Sequence, residues 1–259
     1  MCSMSMSVSY HGLPGADAPV RLIAFHHAGG SASSFLPVVK ELPDGCGGFL
    51  FELGGRFGET GSAPAADFRA AHERFLQDFL QLVDRPALVI GHSLGALFAH
   101  NLVAALPPER AALVRTLVVS ASKGPAVAAE EAPMPAAPFL VRSASSVMED
   151  LRTFGGTDPE FLEDPDFAQA AVGQLGHDLH LADTYTLPPG PPSAVPHLVW
   201  YGQDDVTLAE ADRLAWSGAC ARPPEHEGFP GGHFYLFERP EPAARLRELT
   251  GALTAEGFR

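Results

Sequence analysis

The sequence predicts an α/β fold: a mostly parallel sheet with helices on both faces and a helical lid insertion. Three observations carry this. Short apolar runs alternate with stretches of helical periodicity, the pattern of parallel strands buried on both sides. The alternation stops at about residue 123 and resumes at about residue 193. Gly91-His92-Ser93-Leu94-Gly95 stands between an apolar run and a helical stretch, a sharp turn that pushes a serine hydroxyl out above a sheet. With 259 residues, 46% of them hydrophobic, the chain can build one large core, so 1–259 is read as a single domain carrying the insertion.

Residues 1–19 carry little pattern and are expected to wander or lie on the surface. Arg21 to Phe25 reads as a buried strand ending in His26-His27-Ala28-Gly29-Gly30, and Phe49 to Leu53 as a second, followed by Gly54-Gly55-Arg56. Phe68, Phe75, Leu76, Phe79, Leu80 and Val83 recur at helical spacing, which predicts an amphipathic helix over 66–83. A strand at 87–91, the serine turn and a helix from Gly95 to about Leu106 follow, closed by Pro107-Pro108. Leu113 to Ser120 is another buried strand. Residues 124–138 are almost wholly proline, alanine, glycine and glutamate and are expected to be extended and mobile. Ser146-Val147-Met148-Glu149 reads as a capping box, and Asp158-Pro159 and Asp164-Pro165 each as an N-cap with proline after it. Pro188 to Pro192 closes the insertion. His197 to Tyr201 resumes the sheet, Thr207-Leu208-Ala209-Glu210 caps the next helix, His226 to Phe229 is a short last strand, and about Pro240 to Leu253 is the last helix. The insertion is placed as a lid over the carboxyl ends of the strands, where open α/β sheets hold their sites.

A formal net charge of −14 argues against nucleic acid and anionic membrane surfaces as partners. Cys2, Cys46 and Cys220 have no paired spacing, so neither a disulfide framework nor a zinc knuckle is indicated, which suits a reducing cytoplasm. The first residues lack the basic and apolar regions of a signal peptide, and no apolar run approaches the roughly 20 residues that span a bilayer. His177 and His180 lie three apart on a predicted helix, but two histidines without a third ligand do not make a zinc site. No metal or cofactor is expected.

The chemistry lies in three segments taken in order. The serine turn comes first, then Gly202-Gln203-Asp204-Asp205 past a buried strand, then Gly231-Gly232-His233. A serine hydroxyl is a poor nucleophile at neutral pH; it needs a histidine to take its proton and a carboxylate to hold that histidine's tautomer. Serine, acid, histidine is the chain order of the α/β-hydrolase triad. Ser93 is therefore the candidate nucleophile and His233 the candidate base. Asp204 and Asp205 both qualify as the acid, and either also suits a turn or a helix cap. The oxyanion of a tetrahedral intermediate would be held by the N–H of Leu94, which follows the nucleophile, and by one near Ala28, where Gly29-Gly30 lets the backbone come close. His92 beside the serine reads as structural, Trp200 and Trp216 as packing, and Cys46 and Cys220 as unreactive.

These segments together resemble the type II thioesterases that accompany polyketide and non-ribosomal peptide synthases, within the α/β-hydrolase fold. The likeness runs from about Arg21 to the end. Phe25-His26-His27-Ala28-Gly29-Gly30-Ser31-Ala32 matches the family's F-P-H-A-G-G-S-A, and Leu53-Gly54-Gly55-Arg56 its L-P-G-R. Gly91 to Ala96 matches G-H-S-M/L-G-A, Leu151 to Leu162 the lid stretch L-R-x-x-G-G-T-P-x-x-x-L, and Phe229 to Leu236 the last motif F-P-G-G-H-F-F/Y-L. The family's G-x-x-D, followed by a helix ending in tryptophan, matches Gly202, Asp205 and Trp216, and so selects Asp205 over Asp204 as the acid.

The resemblance implies a stand-alone, monomeric thioesterase. It would clear acyl groups from the phosphopantetheine arm of acyl or peptidyl carrier proteins through an acyl-serine. A carboxylesterase, or a product-releasing cyclase or acyltransferase, would use the same triad; a non-catalytic partner-binding protein would normally have lost part of it. Candidates for the substrate wall are His27, Leu151, Phe154, Phe161, Leu175, Leu179 and Phe234. Carrier docking is expected to be weak and largely apolar, helped by Arg142 or Arg152, since carrier proteins are usually acidic and so is this chain. His26 and Gly54 stand where the family has proline, which is expected to loosen or redirect both loops and to put a polar group near the substrate entrance.

Overall fold

The computed structural model describes residues 9–13, 15, 17–56, 63–154 and 159–257. In chain order, β1 (Tyr10–Gly12), β2 (Val20–Phe25), α1 (Leu36–Val39), β3 (Cys46–Phe51) and α2 (Phe68–Leu82) lead to the central β4 (Ala87–His92) and α3 (Leu94–Ala104). The short α4 (Pro108–Ala111) and β5 (Val114–Ser120) follow. The insertion holds α5 (Pro125–Glu131), α6 (Ala144–Phe154) and α7 (Pro165–Asp183). The chain then returns through β6 (His197–Gly202), α8 (Glu210–Leu214), β7 (Glu225–Phe229), α9 (Tyr235–Glu238) and α10 (Pro240–Gly257).

The strands form one sheet in the order β1-β3-β2-β4-β5-β6-β7, parallel throughout except for β1. Alternate residues of each strand face opposite sides, and they sort into two cores. Ile23, Phe25, Val89 and Val119 pack with α2, α3 and Trp216 on one side; Leu22, Ala24, Ile90 and Val118 pack with Trp200, Tyr235 and Leu246 on the other. Each fully buried phenylalanine or leucine of this kind contributes about 1.5–3 kcal/mol relative to an exposed one. With both faces covered, β2, β3 and β4 are buried at every residue, so they read as apolar runs rather than alternations.

Four expectations need correction. Residues 10–12 lie on the surface, as one of the two expectations has it, but do not wander: they pair with Phe49, Leu50 and Phe51 as the sheet's edge, where Asp78 Oδ2 accepts from both the N–H and the hydroxyl of Ser9 (2.7 and 2.5 Å). The strand placed at 49–53 runs from Cys46 to Phe51, because Gly47 and Gly48 pair with Arg21 and Leu22 although they carry no apolar signal. The segment 124–138 is not extended throughout: Pro125–Glu131 is helical, with proline in its first turn and Gly124 pressed against Ala215 and Trp216. The capping box at Ser146 does not start a helix. That helix begins at Ala144, with Ser143 Oγ accepting from the Ser146 N–H (3.1 Å).

Asp164 does cap α7, accepting from the N–H groups of Asp166 and Phe167. The Asp158 cap and the Gly155-Gly156-Thr157-Asp158 part of the lid motif lie outside the described residues. Within the insertion, Val147, Leu151, Val172 and Leu175 form a small core of their own between α6 and α7. The exposed stretch after α5 is fixed to α7 by Phe139, whose ring lies where a Cβ on Gly176 would be, 2.2 Å from Cζ.

The topology creates the crevice for the site. β2 connects to β3 on one side of it, while β4 connects to β5 on the other. The carboxyl ends of the adjacent β2 and β4 therefore open at a switch point of strand order, where α/β sheets bind ligands.

Candidate active site

Ser93 follows β4 with φ +54° and ψ −119°, a backbone conformation an L-residue adopts only when its surroundings enforce it. Its N–H donates to Ser120 O (2.8 Å). The two glycines of the turn have separate reasons to be there. A Cβ on Gly91 would lie 2.1 Å from Gly95 O, and one on Gly95 would lie 2.1 Å from Phe25 O. The turn is thus tight against itself and against the end of β2.

Past β6 and β7 a second pair of loops is locked together. Gly202 pairs with Phe229, and a Cβ on Gly202 would lie 2.2 Å from Gly232 O. The Asp204 N–H donates to Gly231 O (2.9 Å), and Asp204 Oδ2 accepts from the Gly231 N–H (3.3 Å), so Asp204 holds the turn before His233. Asp205 Oδ2 is 2.8 Å from His233 Nδ1. A carboxylate can only accept, so Nδ1 carries the proton and Nε2 keeps the lone pair a general base needs. Asp205 Oδ1 also accepts from the Thr207 hydroxyl (2.6 Å) and the Thr207 N–H (2.9 Å). Burial, with the side chain only 1% exposed, opposes ionisation of Asp205. The hydrogen bonds from His233 and Thr207 outweigh it and hold the carboxyl below its ordinary range.

Ser93, His233, Leu94 and Ala28 line one cavity of about 350 Å³. His27 and Phe234 form part of its wall beside the catalytic candidates, with ring centroids 4.9 Å apart. Burial pushes the His27 imidazole down to about 3 and the His92 imidazole well below its usual value, so both are neutral. His92 is fully buried, 5.3 Å from the His233 ring, with Nδ1 on Ser120 Oγ (2.8 Å), which also meets the Tyr235 hydroxyl (2.7 Å). It supports the site from beneath.

Of the lid candidates, Leu175 and Leu179 face the cavity, with Leu97, Ala128 and Ala182 extending the apolar surface. Leu151 instead fills the core between α6 and α7 and is not among the lining residues; helical periodicity gives the same signal for either role. Phe161 is 60% exposed and packs on Phe167, outside the cavity. The side chain of Phe154 lies outside the described residues.

Arg142 turns inward onto Asp183 through two hydrogen bonds (3.1 and 2.8 Å), while Arg152 is exposed on α6. Thr207 lines the cavity and holds Asp205; it does not cap α8, whose N-cap is Ala209. Burial pushes the thiols of Cys46 and Cys220 up to about 12 and about 11, which leaves them unreactive; Cys2 lies outside the described residues. Among the described residues no group of histidine, cysteine and carboxylate side chains could hold a metal, and no helix is long and apolar enough to cross a membrane.

The loop that loses the family's proline is held by another device. His26 is 3% exposed, lies outside the cavity lining, and is hydrogen-bonded through Nδ1 to His27 O (2.7 Å), with Nε2 3.1 Å from Glu52 Oε1. Glu52 Oε2 accepts from the Ala32 N–H (3.1 Å), so this one carboxylate spans the loop. Gly54 has its own steric reason, because a Cβ there would lie 2.4 Å from Ala63 O. His26 therefore does not put a polar group at the substrate entrance.

Residues 20–249 match the family of thioesterase domains. The probable cadicidin biosynthesis thioesterase of Streptomyces griseus is 30% identical over 223 residues, 85% of this chain and 59% of that protein. Phenyloxazoline synthase MbtB of Mycobacterium tuberculosis is 27% identical over 237 residues, but the chain spans only 16% of its length. Among solved structures, the type II thioesterase BorB from the borrelidin biosynthetic cluster is 28% identical, with a TM-score of 0.72 and 93% of each chain covered. The RedJ thioesterase from the prodiginine pathway of Streptomyces coelicolor is 25% identical, with a TM-score of 0.77 over 92% of this chain and 87% of that one.

Proposed function

Because the chain belongs to the family of thioesterase domains, we propose that it hydrolyses acyl thioesters on the phosphopantetheine arm of acyl or peptidyl carrier proteins, through an acyl-Ser93 intermediate. The observation that carries this reading is the pairing of His233 Nδ1 with Asp205 at 2.8 Å, beside a cavity that also holds Ser93. The likeness to enzymes of biosynthetic clusters supports the carrier-bound substrate.

In the first half-reaction Ser93 Oγ attacks the thioester carbonyl carbon while His233 Nε2 takes the hydroxyl proton. The tetrahedral oxyanion rests on the N–H groups of Ala28 and Leu94. The carbon–sulfur bond breaks, and His233 returns its proton to the departing sulfur. In the second half, water gives a proton to His233 and adds to the acyl-Ser93 carbonyl. The ester bond to Ser93 then breaks, Oγ regains the proton, and a carboxylic acid leaves. Asp205 keeps Nδ1–H in place throughout and favours the imidazolium. The acyl chain lies along Leu97, Leu175, Leu179 and Ala182.

Intact-protein mass spectrometry on a panel of acyl-loaded carrier proteins tests the assignment, with matched oxygen esters as the comparison. Loss of the acyl mass from the carrier, with esters turned over more slowly, is the expected result. Faster turnover of esters than of every thioester would assign a carboxylesterase instead.

A further inference from the structure

Asp178 lies on the lid helix α7, is 2% exposed, and does not touch the cavity. It grips two segments distant in sequence. Arg56 donates to both of its oxygens, Nη1 to Oδ1 at 3.0 Å and Nη2 to Oδ2 at 2.6 Å. The Gly29 N–H donates to Oδ2 at 2.7 Å. One helical turn earlier, Gln174 Nε2 donates to Gly29 O (2.6 Å) and to Gly30 O (3.2 Å). Leu175 closes on Gly29 between them, 3.2 Å from where a Cβ would be. Both polar groups of Gly29, a residue at φ +76°, are therefore held by the lid, and its nitrogen belongs to the peptide that begins at Ala28.

From this geometry we infer that Asp178 is a positioning residue for the oxyanion hole. By fixing the Gly29 N–H from the lid, with Arg56 as its anchor, it fixes the Ala28–Gly29 peptide, which meets the peptide carrying the Ala28 N–H at the Ala28 Cα and so limits how far that donor can turn. The donor's own peptide is held within its loop, where His27 O accepts from the Gly30 N–H (3.2 Å) and lies 2.7 Å from His26 Nδ1, and α7 acts on it through the adjoining peptide. This rests on the reading that Ala28 donates to the oxyanion. A bidentate guanidinium pair is suited to the task because it fixes direction as well as distance. Gly29 has no side chain to hold its peptide otherwise, and a small misplacement at a reacting centre is costly.

The test compares the full-length protein with Asp178→Asn and Gln174→Ala. The second removes a half-buried amide and leaves the Arg56 pair intact, so it remains informative if the first fails to fold. Three quantities are measured: kcat and KM on an acyl-pantetheine thioester, Ki for an alkyl boronic acid, and the melting temperature. The boronic acid's tetrahedral adduct on Ser93 places an oxygen in the oxyanion hole. The expected result is a fall in kcat of about 10- to 100-fold for Asp178→Asn and about 3- to 10-fold for Gln174→Ala. KM stays within about twofold, and Ki rises by the same factor as kcat falls. Unchanged kcat in a folded variant, or lost kcat with unchanged boronic acid affinity, overturns the inference. If the unaltered protein hydrolyses no thioester, the functional reading fails, and the boronic acid comparison, which needs only Ser93, still decides the role of Asp178.

Discussion

Thr207 Oγ1 lies 2.6 Å from Asp205 Oδ1 and 3.1 Å from His233 Nδ1, so an exposed threonine holds the carboxylate that pairs with His233 and sits against that pair. Thr207→Val should lower kcat on the order of tenfold, the worth of one hydrogen bond to a charged group. The Asp205 carboxyl titrates below its ordinary value, so folding favours the ionised form. That contribution is complete above the unfolded carboxylate range and is lost as pH falls through the folded value. The melting-temperature gap between wild type and Thr207→Val should therefore be widest near neutral pH and close in acid. A gap that stays constant with pH would show that Thr207 acts by packing alone.

Ser93→Ala should lose turnover by about 10⁴- to 10⁶-fold, and a fluorophosphonate should label Ser93 in the unaltered protein and nothing in the variant. The positive φ at this position adds a second expectation. Ser93→Gly should be equally inactive yet melt higher than Ser93→Ala, because glycine adopts that conformation without steric cost. Thermal denaturation of the two variants side by side decides it.

Asp205→Asn should cost roughly 10³ to 10⁴ in kcat by misdirecting the His233 tautomer, while Asp204→Asn should cost under about tenfold. Since Asp204 accepts from the Gly231 N–H, its variant should show its effect in melting temperature rather than in kcat. The opposite ranking in steady-state kinetics would exchange the two roles.

Activity should survive on small pantetheine thioesters, with kcat/KM rising when the carrier is attached. With a net charge of −14 and Arg142 committed to Asp183, long-range attraction to an acidic carrier is absent, so that gain should vary little with salt. Leu179→Trp, which fills the cavity wall, should shift the preferred acyl group to shorter chains. Equal kcat/KM with and without the carrier, or a steep fall with salt, would refute the docking argument.

The parts legible in the sequence are those with a local signal. The buried strands show as apolar runs, α2 shows its period, and the serine turn shows its glycines because the backbone there passes within contact of itself. The helix at Pro125–Glu131 is obscured by the prolines that follow it, Pro133, Pro135 and Pro138, although alanine and glutamate favour a helix; it is secured by Gly124 against the Ala215–Trp216 turn, a contact far along the chain. Thr207 carries a helix-cap signal that has a different use in three dimensions. The Arg56–Asp178 pair has no local signature at all, since it joins a loop after β3 to the middle of the lid. Leu151 and Leu175 look alike along the chain, and only the packing of α6 against α7 shows which of them reaches the cavity.

The sheet keeps the chain's two tryptophans apart. Both are fully buried, Trp200 in the core with Tyr235 and α10, Trp216 in the core with α3, where its Nε1–H donates to Ser122 O (2.8 Å). Intrinsic fluorescence is thus spatially resolved without any label. Trp200→Phe leaves emission from the side that carries α3, and Trp216→Phe leaves emission from the side that carries α10. Denaturant titrations of the two single-tryptophan proteins can therefore determine whether the layers on either side of the sheet give way together or in turn.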